Sequence, residues 1–252
     1  MEAKETVRRN LILAVIGCGN LGTAILAGLM ALHKDTGTQH SAITHFVFLI
    51  DNNAEGVSRA DVIVLTCSPS QAAAVLGADG MRKALAGKLL ISIIGGVSLA
   101  EIEHALYSGL TTKERGPKTC HILRAVTNIA ATASAAVTIA GERSTSMPIE
   151  TLALGKDLFG CIGNVVEVKA DQMPAATALS ASGTTFFALL LEAAVDGAVT
   201  LGIRHDQAVE MAAPTMAGSA KLVLSGHHPA FIRAHTRWVH GEGVSSFGRR
   251  CS

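Results

Sequence analysis

Residues 11–22 read LILAVIGCGNLG, a six-residue apolar run followed directly by a glycine cluster. The run Leu11–Ile16 shows no alternation of polar and apolar residues, which is typical of a parallel strand covered on both faces. From Asn20 to Leu32, apolar residues recur every three or four positions, so we expect an amphipathic helix. The stretch therefore predicts the strand, tight turn and helix with which an α/β fold begins.

The glycines at 17, 19 and 22 form the pattern GxGxxG between that strand and that helix. The first glycine allows the sharp turn, the second lets a diphosphate approach the backbone, and the third lets the helix pack on the strand. Free N–H groups at the helix start attract an anion, and such a terminus contributes about 0.3 to 1 kcal/mol. We therefore predict a dinucleotide site formed by Gly17, Gly19, Asn20, Leu21 and Gly22.

The choice between NAD and NADP depends on the end of the next predicted strand, His45–Ile50. An acid at that position binds the ribose hydroxyls of NAD, and Asp51 directly follows the strand. Asp51 nevertheless lies 29 residues after Gly22, whereas the usual distance from the fingerprint is about 20. The neighbouring Asn52 and Asn53 are equally consistent with a turn, so both nucleotides stay open.

Strand and helix patterns alternate along the rest of the first half. Pro69 and Ser70 begin a helix that we expect to continue through Ala86, and Ser98-Leu-Ala-Glu101 is a capping box for another helix. This order predicts a doubly wound, Rossmann-type parallel sheet with right-handed crossovers, in an NAD(P)-binding domain of residues 1–141. The further predicted strands are Asp61–Thr66, Lys88–Ile94, Cys120–Ala125 and Ala136–Ala140.

Residues 142–252 have a different pattern, because long alanine-rich stretches replace the alternation of strands and helices. We predict helices at Ile149–Phe159 and at about 183–201 and 206–224, with a short strand at Val165–Val168. Small residues on the two long helices permit close helix packing, either within the chain or against a partner chain. This half is therefore expected to be a second, mainly helical domain.

Residues 227–252 form an atypical tail with four histidines, four arginines, the only tryptophan and one acid, Glu242. Neither a helical nor a strand period is visible, so we expect a loosely ordered segment. Metal binding by the histidines is the alternative, but their spacing contains no pair four residues apart on a predicted helix. We therefore predict no metal site. The four histidines are His227, His228, His235 and His240.

The overall composition excludes several classes of protein. Lys and Arg number 21 and Asp and Glu number 20, and this net charge of +1 is too small to attract nucleic acid. Five cysteines without a CxxC pair argue against a disulfide framework and favour a reducing, cytoplasmic compartment. The apolar stretch Phe186–Leu191 is soon interrupted by Glu192 and Asp196, so no membrane span is expected. A charged fraction of only 16% indicates surface buried in an oligomer.

Three further segments follow predicted strands, at the edge where the ligands of open α/β sheets bind. Thr66–Pro69 ends one strand, Gly95-Gly96 ends another, and Arg124–Asn128 follows a third. Asn128 offers both a donor and an acceptor to the carboxamide or ribose of a nicotinamide nucleotide. Because all three segments reach the edge that carries GxGxxG, we predict that they line one site.

Together these motifs resemble the pyrroline-5-carboxylate reductase family. The resemblance rests on IGCGNLGTAILAGL, DVIVLTCSP, LLISIIGGVS, RAVTNIAA and TALSASGTTFFALLLEAAVDGAVTLGI, and it covers most of residues 11–230. It implies an N-terminal NAD(P)-binding domain, a C-terminal helical dimerisation and substrate domain, and a homodimer or a ring of dimers. It also implies hydride transfer from NADPH or NADH, with NADPH favoured, to the C=N carbon of 1-pyrroline-5-carboxylate, which gives L-proline.

The resemblance also implies roles for individual positions. Asn53 matches an asparagine that contacts the cofactor, and Asn128 matches the asparagine of the family's M-(P/T)-N motif. Ser180, Ser182 and Thr184 are the candidate catalytic residues, at a helix start that can receive the substrate carboxylate. The implied cofactor-binding residues are Gly17, Gly19, Asn20, Leu21, Gly22, Asn53, Thr66, Cys67, Ser68, Pro69 and Asn128.

Two departures from the family pattern bear on activity. The usual lysine of the loop at 66–69 is Ser68. The family's S-P-G-G-T-T segment, whose hydroxyl contacts the substrate near the reacting nitrogen, does not occur, and residues 237–243 occupy its expected place. The alternative function is therefore a degenerate, catalytically impaired relative that binds a dinucleotide. A hydroxyacid dehydrogenase is a weaker rival, because the sequence lacks its catalytic Lys with an Asn one helical turn later.

Overall fold

The computed structural model describes residues 11–36, 43–47, 53–111 and 118–236. Asp51, the end of the predicted strand His45–Ile50 and the tail from residue 237 onward therefore lie outside the described residues. Contacts divide the chain into two compact units, one ending at Thr184 and the other beginning at Thr185. The first unit is an α/β domain and the second is helical, as the sequence predicts.

Seven strands form one sheet in the first unit: β1 (Leu11–Ile16), β2 (Ile43–Val47), β3 (Val62–Leu65), β4 (Leu89–Ser92), β5 (His121–Val126), β6 (Ala136–Arg143) and β7 (Gly163–Glu167). Their spatial order is β2-β1-β3-β4-β5-β6-β7. The neighbours from β2 to β5 pair in parallel, and so do β6 and β7. Because the order changes direction at β1, the sheet is doubly wound, with its ligand crevice expected at that point.

The strand β6 is antiparallel to β5, which corrects the predicted all-parallel sheet. Nine residues connect the two strands, and they include a short 3₁₀ helix, Ile129–Ala133. A parallel pair needs a crossover of about a dozen residues or more, so a connection of this length returns the chain in the opposite direction. The predicted fold class is confirmed, with β6 and β7 running opposite to the five strands from β1 to β5.

Both faces of the sheet are covered, which explains the continuous apolar runs in the sequence. In β3, Val62 and Val64 belong to the hydrophobic cluster on one face, and Ile63 and Leu65 belong to the cluster on the other. All four residues are fully buried. Because successive strand residues point to opposite faces, this alternation places a separate core on each side of one sheet.

The helices of the first unit are α1 (Asn20–Thr36), α2 (Asn53–Arg59), α3 (Pro69–Leu76), α4 (Met81–Leu85), α5 (Leu99–Tyr107), α6 (Ile149–Gly160) and α7 (Met173–Ser180). The predicted capping box begins α5: Ser98 Oγ accepts from Glu101 N at 3.2 Å, and Ser98 N donates to the Glu101 carboxylate at 2.7 Å. The single helix predicted from Pro69 to Ala86 is wrong. It is divided into α3 and α4, because Gly80 adopts a φ of +81° between them.

The first unit extends beyond residue 141, the expected end of the first domain. Gly141 lies inside β6, and β7 pairs with β6 in parallel register. Met173 of α7 packs so closely on Gly141 that a side chain at residue 141 would overlap it. The predicted strand Val165–Val168 thus corresponds to β7 and belongs to the sheet, and α7 packs on the same unit.

The second unit contains most of α8 (Gly183–Thr200), together with α9 (His205–Leu224) and α10 (Pro229–Thr236). The two long helices agree with the predicted ranges 183–201 and 206–224. α10 lies within the segment expected to be a loosely ordered tail, which corrects that expectation for its first part. Phe231 and His235 stack four residues apart, with ring centroids separated by 3.6 Å, and this contact supports the short helix.

The helical run Ala170–Thr200 is long and apolar enough to cross a membrane by length and composition alone. Its most apolar window has a mean hydropathy of 1.5. A turn at residues 181–182 separates α7 from α8 within this run. A helix that packs against other protein helices passes the same test, so the composition by itself assigns no membrane location.

Candidate functional site

The carboxyl ends of four neighbouring strands form one edge of the sheet. Ile16 of β1 pairs with Leu65 of β3. Ser92 of β4 pairs with Leu65 on one side and with Arg124 of β5 on the other. The loops that follow these strands therefore leave the sheet side by side, so the GxGxxG loop and the three segments predicted beside it share one edge.

The three motif glycines have different surroundings. Gly17 has a φ of +87°, and a Cβ at this position would lie 2.6 Å from Cys67 N. At Gly22 a Cβ would overlap the carbonyl oxygen of Gly17. At Gly19 a Cβ would meet nothing within 4 Å. The first and third glycines thus permit close packing, and the second faces open space that a ligand can approach.

Helix α1 begins at Asn20, directly after Gly19. Thr23 N donates to Gly19 O at 2.9 Å and makes the first bond of this helical turn. Helical geometry gives the amides before Thr23, those of Asn20, Leu21 and Gly22, no acceptor inside the helix. These amides and the open space over Gly19 fit a diphosphate, because an anion gains from both the donors and the helix dipole.

Thr66, predicted to contact the cofactor, directs its hydroxyl at the glycine loop. Its hydroxyl donates to Ile16 O at 3.1 Å and to Gly17 O. Its amide also donates to Ile16 O, at 2.8 Å. Thr66 therefore holds the backbone of the GxGxxG loop in place.

The other three residues of this loop differ in exposure. Cys67 lies against Gly17, and burial raises the pKa of its thiol, so the neutral form is favoured. Ser68 is exposed and precedes α3, and its hydroxyl donates to Gln71 Oε1 at 2.9 Å. Pro69 is the first residue of α3, a position where a proline loses no helical hydrogen bond. Ser68 is thus the exposed polar side chain that this loop offers to a ligand.

Asn53 comes after β2 along the chain, and the Gly95-Gly96 pair comes after β4. Asn53 is half-buried and begins α2, so it stays a candidate for the ribose, whereas Asp51 lies outside the described residues. Gly95 and Gly96 are exposed after β4, and a Cβ on either glycine would meet nothing within 4 Å. The turn after β4 therefore leaves room for a ligand near its backbone.

Asn128 is buried, and its side chain makes two contacts within the protein. Its Oδ1 accepts from Ala130 N at 3.2 Å and caps the 3₁₀ helix, while its Nδ2 donates to Ser180 O at 2.9 Å. One N–H of Nδ2 and one acceptor site of Oδ1 are left over from these contacts, so the predicted role beside the nicotinamide stays a prediction. The two contacts also make Asn128 a structural link between the turn after β5 and the end of α7.

The three candidate catalytic residues surround the turn between α7 and α8. Ser180 ends α7 and is buried, and its Oγ has no hydrogen-bond partner among the residues that the structure describes. Ser182 is exposed immediately before α8, and Thr184 is half-buried in its first turn. Small hydroxyls at a helix start serve as caps or as ligands for an anion. Ser92 Oγ and His121 Nδ1 are the other buried side-chain atoms without a partner among the described residues, so the ligand role of Ser180 stays a prediction.

An ion pair near this edge was not anticipated from the sequence. Arg124 Nη1 lies 2.6 Å from Glu142 Oε2, and the same oxygen accepts from Leu99 N at 3.3 Å at the start of α5. The hydrogen bond from Arg124 lowers the pKa of Glu142, although partial burial opposes this effect. Glu142 therefore ties β5 and β6 to the helix that follows Gly95-Gly96. No local pattern signals this link, because its members lie far apart in sequence.

Within residues 11–36, 43–47, 53–111 and 118–236, no group of three or more His, Cys, Asp and Glu side chains is arranged to hold a metal ion. His227, His228 and His235 are exposed around α10. Their Nδ1 atoms make local contacts, as at His228, which accepts from Ala230 N at 3.1 Å. His240 lies outside the described residues.

Two family models match the chain. The model described as pyrroline-5-carboxylate reductase dimerisation matches residues 170–241. The model described as NADP oxidoreductase, coenzyme F420-dependent, matches residues 12–96. The two matches correspond to the helical part and to the first strands of the sheet with their loops.

Curated relatives match most of the chain. A pyrroline-5-carboxylate reductase of Acremonium sp is 39% identical over 261 residues, which cover 90% of this chain and 82% of the relative. A pyrroline-5-carboxylate reductase of Schizosaccharomyces pombe is 30% identical over 246 residues, with 87% and 83% covered.

Solved structures share the fold. A pyrroline carboxylate reductase of Plasmodium falciparum with NADP bound has a TM-score of 0.74 at 22% identity, and the match covers 94% of this chain and 87% of that one. A pyrroline-5-carboxylate reductase of Coxiella burnetii has a TM-score of 0.72 at 24% identity, with 91% and 85% covered. At these identities the likeness concerns the fold.

Proposed function

The chain belongs to the pyrroline-5-carboxylate reductase family, and from this membership we propose that it reduces 1-pyrroline-5-carboxylate to L-proline. The chain is an NAD(P)H-dependent oxidoreductase of Rossmann type. Members of its family that are 30 to 39% identical bear the reductase name. The specific substrate and the capacity for turnover are the parts that we propose.

The observation that carries the proposal is the open cradle at the start of α1. Gly17 and Gly22 fold the loop tightly, Gly19 leaves its outer side free, and the first amides of α1 lack acceptors inside the helix. Such a cradle fits the diphosphate of a nicotinamide dinucleotide. The same compact unit carries the buried, unpartnered hydroxyl of Ser180, which supports a second, substrate-binding part of the site.

A bound reduced nicotinamide supplies the hydride for the imine carbon. The imine is electrophilic once its nitrogen is protonated, so the protein mainly has to hold the substrate in position, which accounts for several kcal/mol of the barrier. We assign the substrate carboxylate to the amides at the start of α8, next to Ser182 and Thr184. The Ser180 hydroxyl donates a hydrogen bond to the substrate, and Asn128 Nδ2 holds the backbone of Ser180 by donating to Ser180 O at 2.9 Å.

Two arguments bear on the preference between NADPH and NADH, and they point in opposite directions. The family resemblance favours NADPH. The segment 45–58 contains Asp51 and Glu55 but no Lys or Arg, a composition that favours the free ribose of NADH over a 2′-phosphate. The ratio of kcat/KM for the two reduced nucleotides measures the preference, and a ratio above 1 for NADPH supports the family's choice.

We assign the homo-oligomer contact to α8 and α9. The dimerisation family model covers both helices, and an open groove of about 510 Å³ lies along them. Apolar surface of this kind on a protein marks an interaction site. Large apolar side chains exposed on the two helices include Phe186, Phe187, Leu189, Leu190, Val199, Val209, Met211, Leu222, Val223 and Leu224.

The four described cysteines are free thiols, which supports the cytoplasm as the location of the enzyme. These cysteines are Cys18, Cys67, Cys120 and Cys161, and Cys251 lies outside the described residues. Fractionation of the source cells with an antibody against the chain checks the assignment. Recovery in the membrane or an organelle fraction would contradict it.

A second candidate function is a relative that binds the nucleotide without reducing the substrate. The observation that favours it is the missing S-P-G-G-T-T segment, whose place in the sequence, residues 237–243, reads RWVHGEG. Loss of a protein hydroxyl that contacts the substrate lowers the rate of reduction but leaves the GxGxxG cradle unchanged. The two candidates therefore differ in turnover and agree in cofactor binding.

One experiment separates the two candidates. The protein is incubated with NADPH or NADH and 1-pyrroline-5-carboxylate, the absorbance at the nicotinamide band is followed, and proline is quantified. Binding of the nucleotide is measured alongside by nicotinamide fluorescence. Equal amounts of nucleotide oxidised and proline formed support the reductase. Nucleotide binding without proline formation supports the impaired relative, and absence of both contradicts the proposed function.

A further inference from the structure

The amides of the GxGxxG loop face a ligand only when the carbonyls of the same peptide units face the protein. We propose that Thr66 and Thr23 are positioning residues that fix these carbonyls and so set the direction of the amide donors. The proposal rests on the cofactor site proposed above, because it explains how that site keeps its binding conformation.

Thr66 holds the first two carbonyls of the loop. Its hydroxyl donates to Ile16 O at 3.1 Å and to Gly17 O, and its amide donates to Ile16 O at 2.8 Å. The hydroxyl is half-buried. Because water has little access to it, the protein has no easy substitute for this donor.

Thr23, in the first turn of α1, binds the next two carbonyls. Its hydroxyl donates to Cys18 O at 3.2 Å, and its amide donates to Gly19 O at 2.9 Å. Four consecutive carbonyls, from Ile16 to Gly19, therefore each accept from one of two threonines. Thr23 is exposed, so water replaces its hydroxyl more readily than that of Thr66.

The direction of the amides follows from peptide geometry. The peptide bonds here are trans, so the N–H of each unit points opposite to its C=O. With the carbonyls of Gly17, Cys18 and Gly19 held by threonines, the N–H groups of the three following residues point away from them. Residues 18, 19 and 20 are exposed, and their amides are thus presented together to an anion.

The third motif glycine makes this arrangement possible. A Cβ at Gly22 would lie 2.5 Å from the hydroxyl oxygen of Thr66. Any larger residue at this position would displace the hydroxyl from Gly17 O. Thr66 and Gly22 therefore act as a pair, in which the glycine provides the space and the threonine provides the donor.

The test compares substitutions that differ by one hydroxyl. Thr66→Ala, Thr66→Ser, Thr23→Ala and the control Thr200→Ala, which removes an exposed hydroxyl bonded to Gly197 O in α8, are purified as full chains. Binding of NADH and of ADP-ribose, which carries the diphosphate without nicotinamide, is measured by titration calorimetry. We expect Thr66→Ala to raise the Kd for both ligands about tenfold, or about 1.4 kcal/mol. Thr23→Ala raises it by a smaller factor.

The serine variant provides the decisive contrast, because Thr66→Ser keeps the hydroxyl and loses the methyl group. We expect Thr66→Ser to bind both ligands within about twofold of the parent protein, and Thr200→Ala to be unchanged. The proposal is overturned if folded Thr66→Ala binds as the parent does, or if Thr66→Ser loses as much affinity as Thr66→Ala.

Two further outcomes keep the test decisive. If Thr66→Ala does not fold, the exposed Thr23→Ala variant carries the test, and unchanged affinity in that variant overturns the proposal. If the parent protein binds neither NADH nor ADP-ribose, the proposed cofactor site fails, and the positioning role fails with it. If the parent protein binds both ligands and only the alanine variants at Thr66 and Thr23 bind them more weakly, the proposal is supported, even where the protein shows no turnover.

Discussion

The two units of the molecule differ in how far their apolar side chains are buried. In the first unit, strands such as β3 and β4 are buried on both faces, and the sheet separates two hydrophobic clusters. In the second unit, Val195 and Ala208 are the buried residues among positions 185–235, while Phe186, Phe187 and Leu189 on α8 are each more than half exposed. A core that is complete within one chain is expected to fold alone, and an uncovered apolar face is expected to find a partner. The proposed function accordingly assigns dinucleotide binding to the first unit and the contact between subunits to the second.

The largest expected effect is on assembly. Phe186→Glu puts a charge on the exposed apolar face of α8, and burying an unpaired carboxylate in an interface costs several kcal/mol, roughly a hundredfold or more in association. Sedimentation velocity is expected to show the parent protein as a dimer or larger and the variant as a monomer. The change affects the second unit, so NADH binding by the first unit should persist.

A matched control makes the same change in the first unit. Ile149 is 81% exposed at the start of α6, and Ile149→Glu is expected to leave the sedimentation coefficient unchanged. If both variants stay assembled, the apolar face of α8 is not the contact between subunits. If both dissociate, the contrast between the two units is wrong.

A smaller effect is expected at Ser180, the proposed substrate contact in the first unit. Ser180→Ala removes a hydroxyl that lacks a partner among the described residues, so the melting temperature should stay the same or rise slightly. A lost hydrogen bond to the substrate should raise KM for 1-pyrroline-5-carboxylate by roughly five- to tenfold, with KM for the nucleotide unchanged. Steady-state kinetics and thermal melting of the variant measure both quantities.

The exposed Ser182→Ala variant shows whether the effect is specific to the buried hydroxyl. A fall in melting temperature of Ser180→Ala with unchanged KM would mean that the hydroxyl is structural. That outcome would remove Ser180 from the substrate site and leave the cofactor cradle unaffected.

The smallest effect concerns the ion pair that joins β5, β6 and α5. Arg124 lowers the pKa of Glu142 in the folded protein, so the pair stabilises the fold above the unfolded pKa of about 4.3 and loses this contribution as the pH falls through the lower folded pKa. The pair is partly solvated, so its contribution is about 1 kcal/mol or less.

Urea unfolding at several pH values tests this ion pair. Glu142→Gln should be less stable than the parent at pH 7, and the difference should vanish towards pH 3. Glu150→Gln, a change of the same charge at an exposed position, is the control and should show no such convergence. A difference between Glu142→Gln and the parent that is independent of pH would contradict the role of the charge.

Local sequence patterns predict much of the first unit because they depend on neighbouring residues. The run Leu11–Ile16, the GxGxxG turn and the capping box at Ser98 each appear as predicted, since burial, φ and capping are set within a few residues. The single helix predicted from Pro69 to Ala86 overlooks the break at Gly80, where the glycine adopts a φ of +81°. The reversal of β6 follows from the short connection between β5 and β6, and the predicted strands Cys120–Ala125 and Ala136–Ala140 already imply a connection of that length.

The contacts that shape the site are harder to predict, because they join distant parts of the chain. Asn128 bonds to the backbone of Ser180, 52 residues away, and Thr66 bonds to Ile16, 50 residues away. Both residues are predicted to contact the cofactor, and the fold also uses Thr66 to hold the loop and Asn128 to hold the end of α7. A polar residue at a sheet edge can bind a ligand or position the residue that does, and its type is the same in both roles.

The central claim is that the loop before α1 holds a nicotinamide dinucleotide. A titration of NADH with the protein, followed by the fluorescence of the nicotinamide, tests this claim most directly. The parent protein is predicted to bind one NADH per chain. Gly17→Ala, which forces a side chain into a φ of +87° and within 2.6 Å of Cys67 N, is predicted to lose binding while Gly197→Ala in α8 retains it. Equal binding by the parent and by folded Gly17→Ala, or no binding by the parent, would contradict the claim.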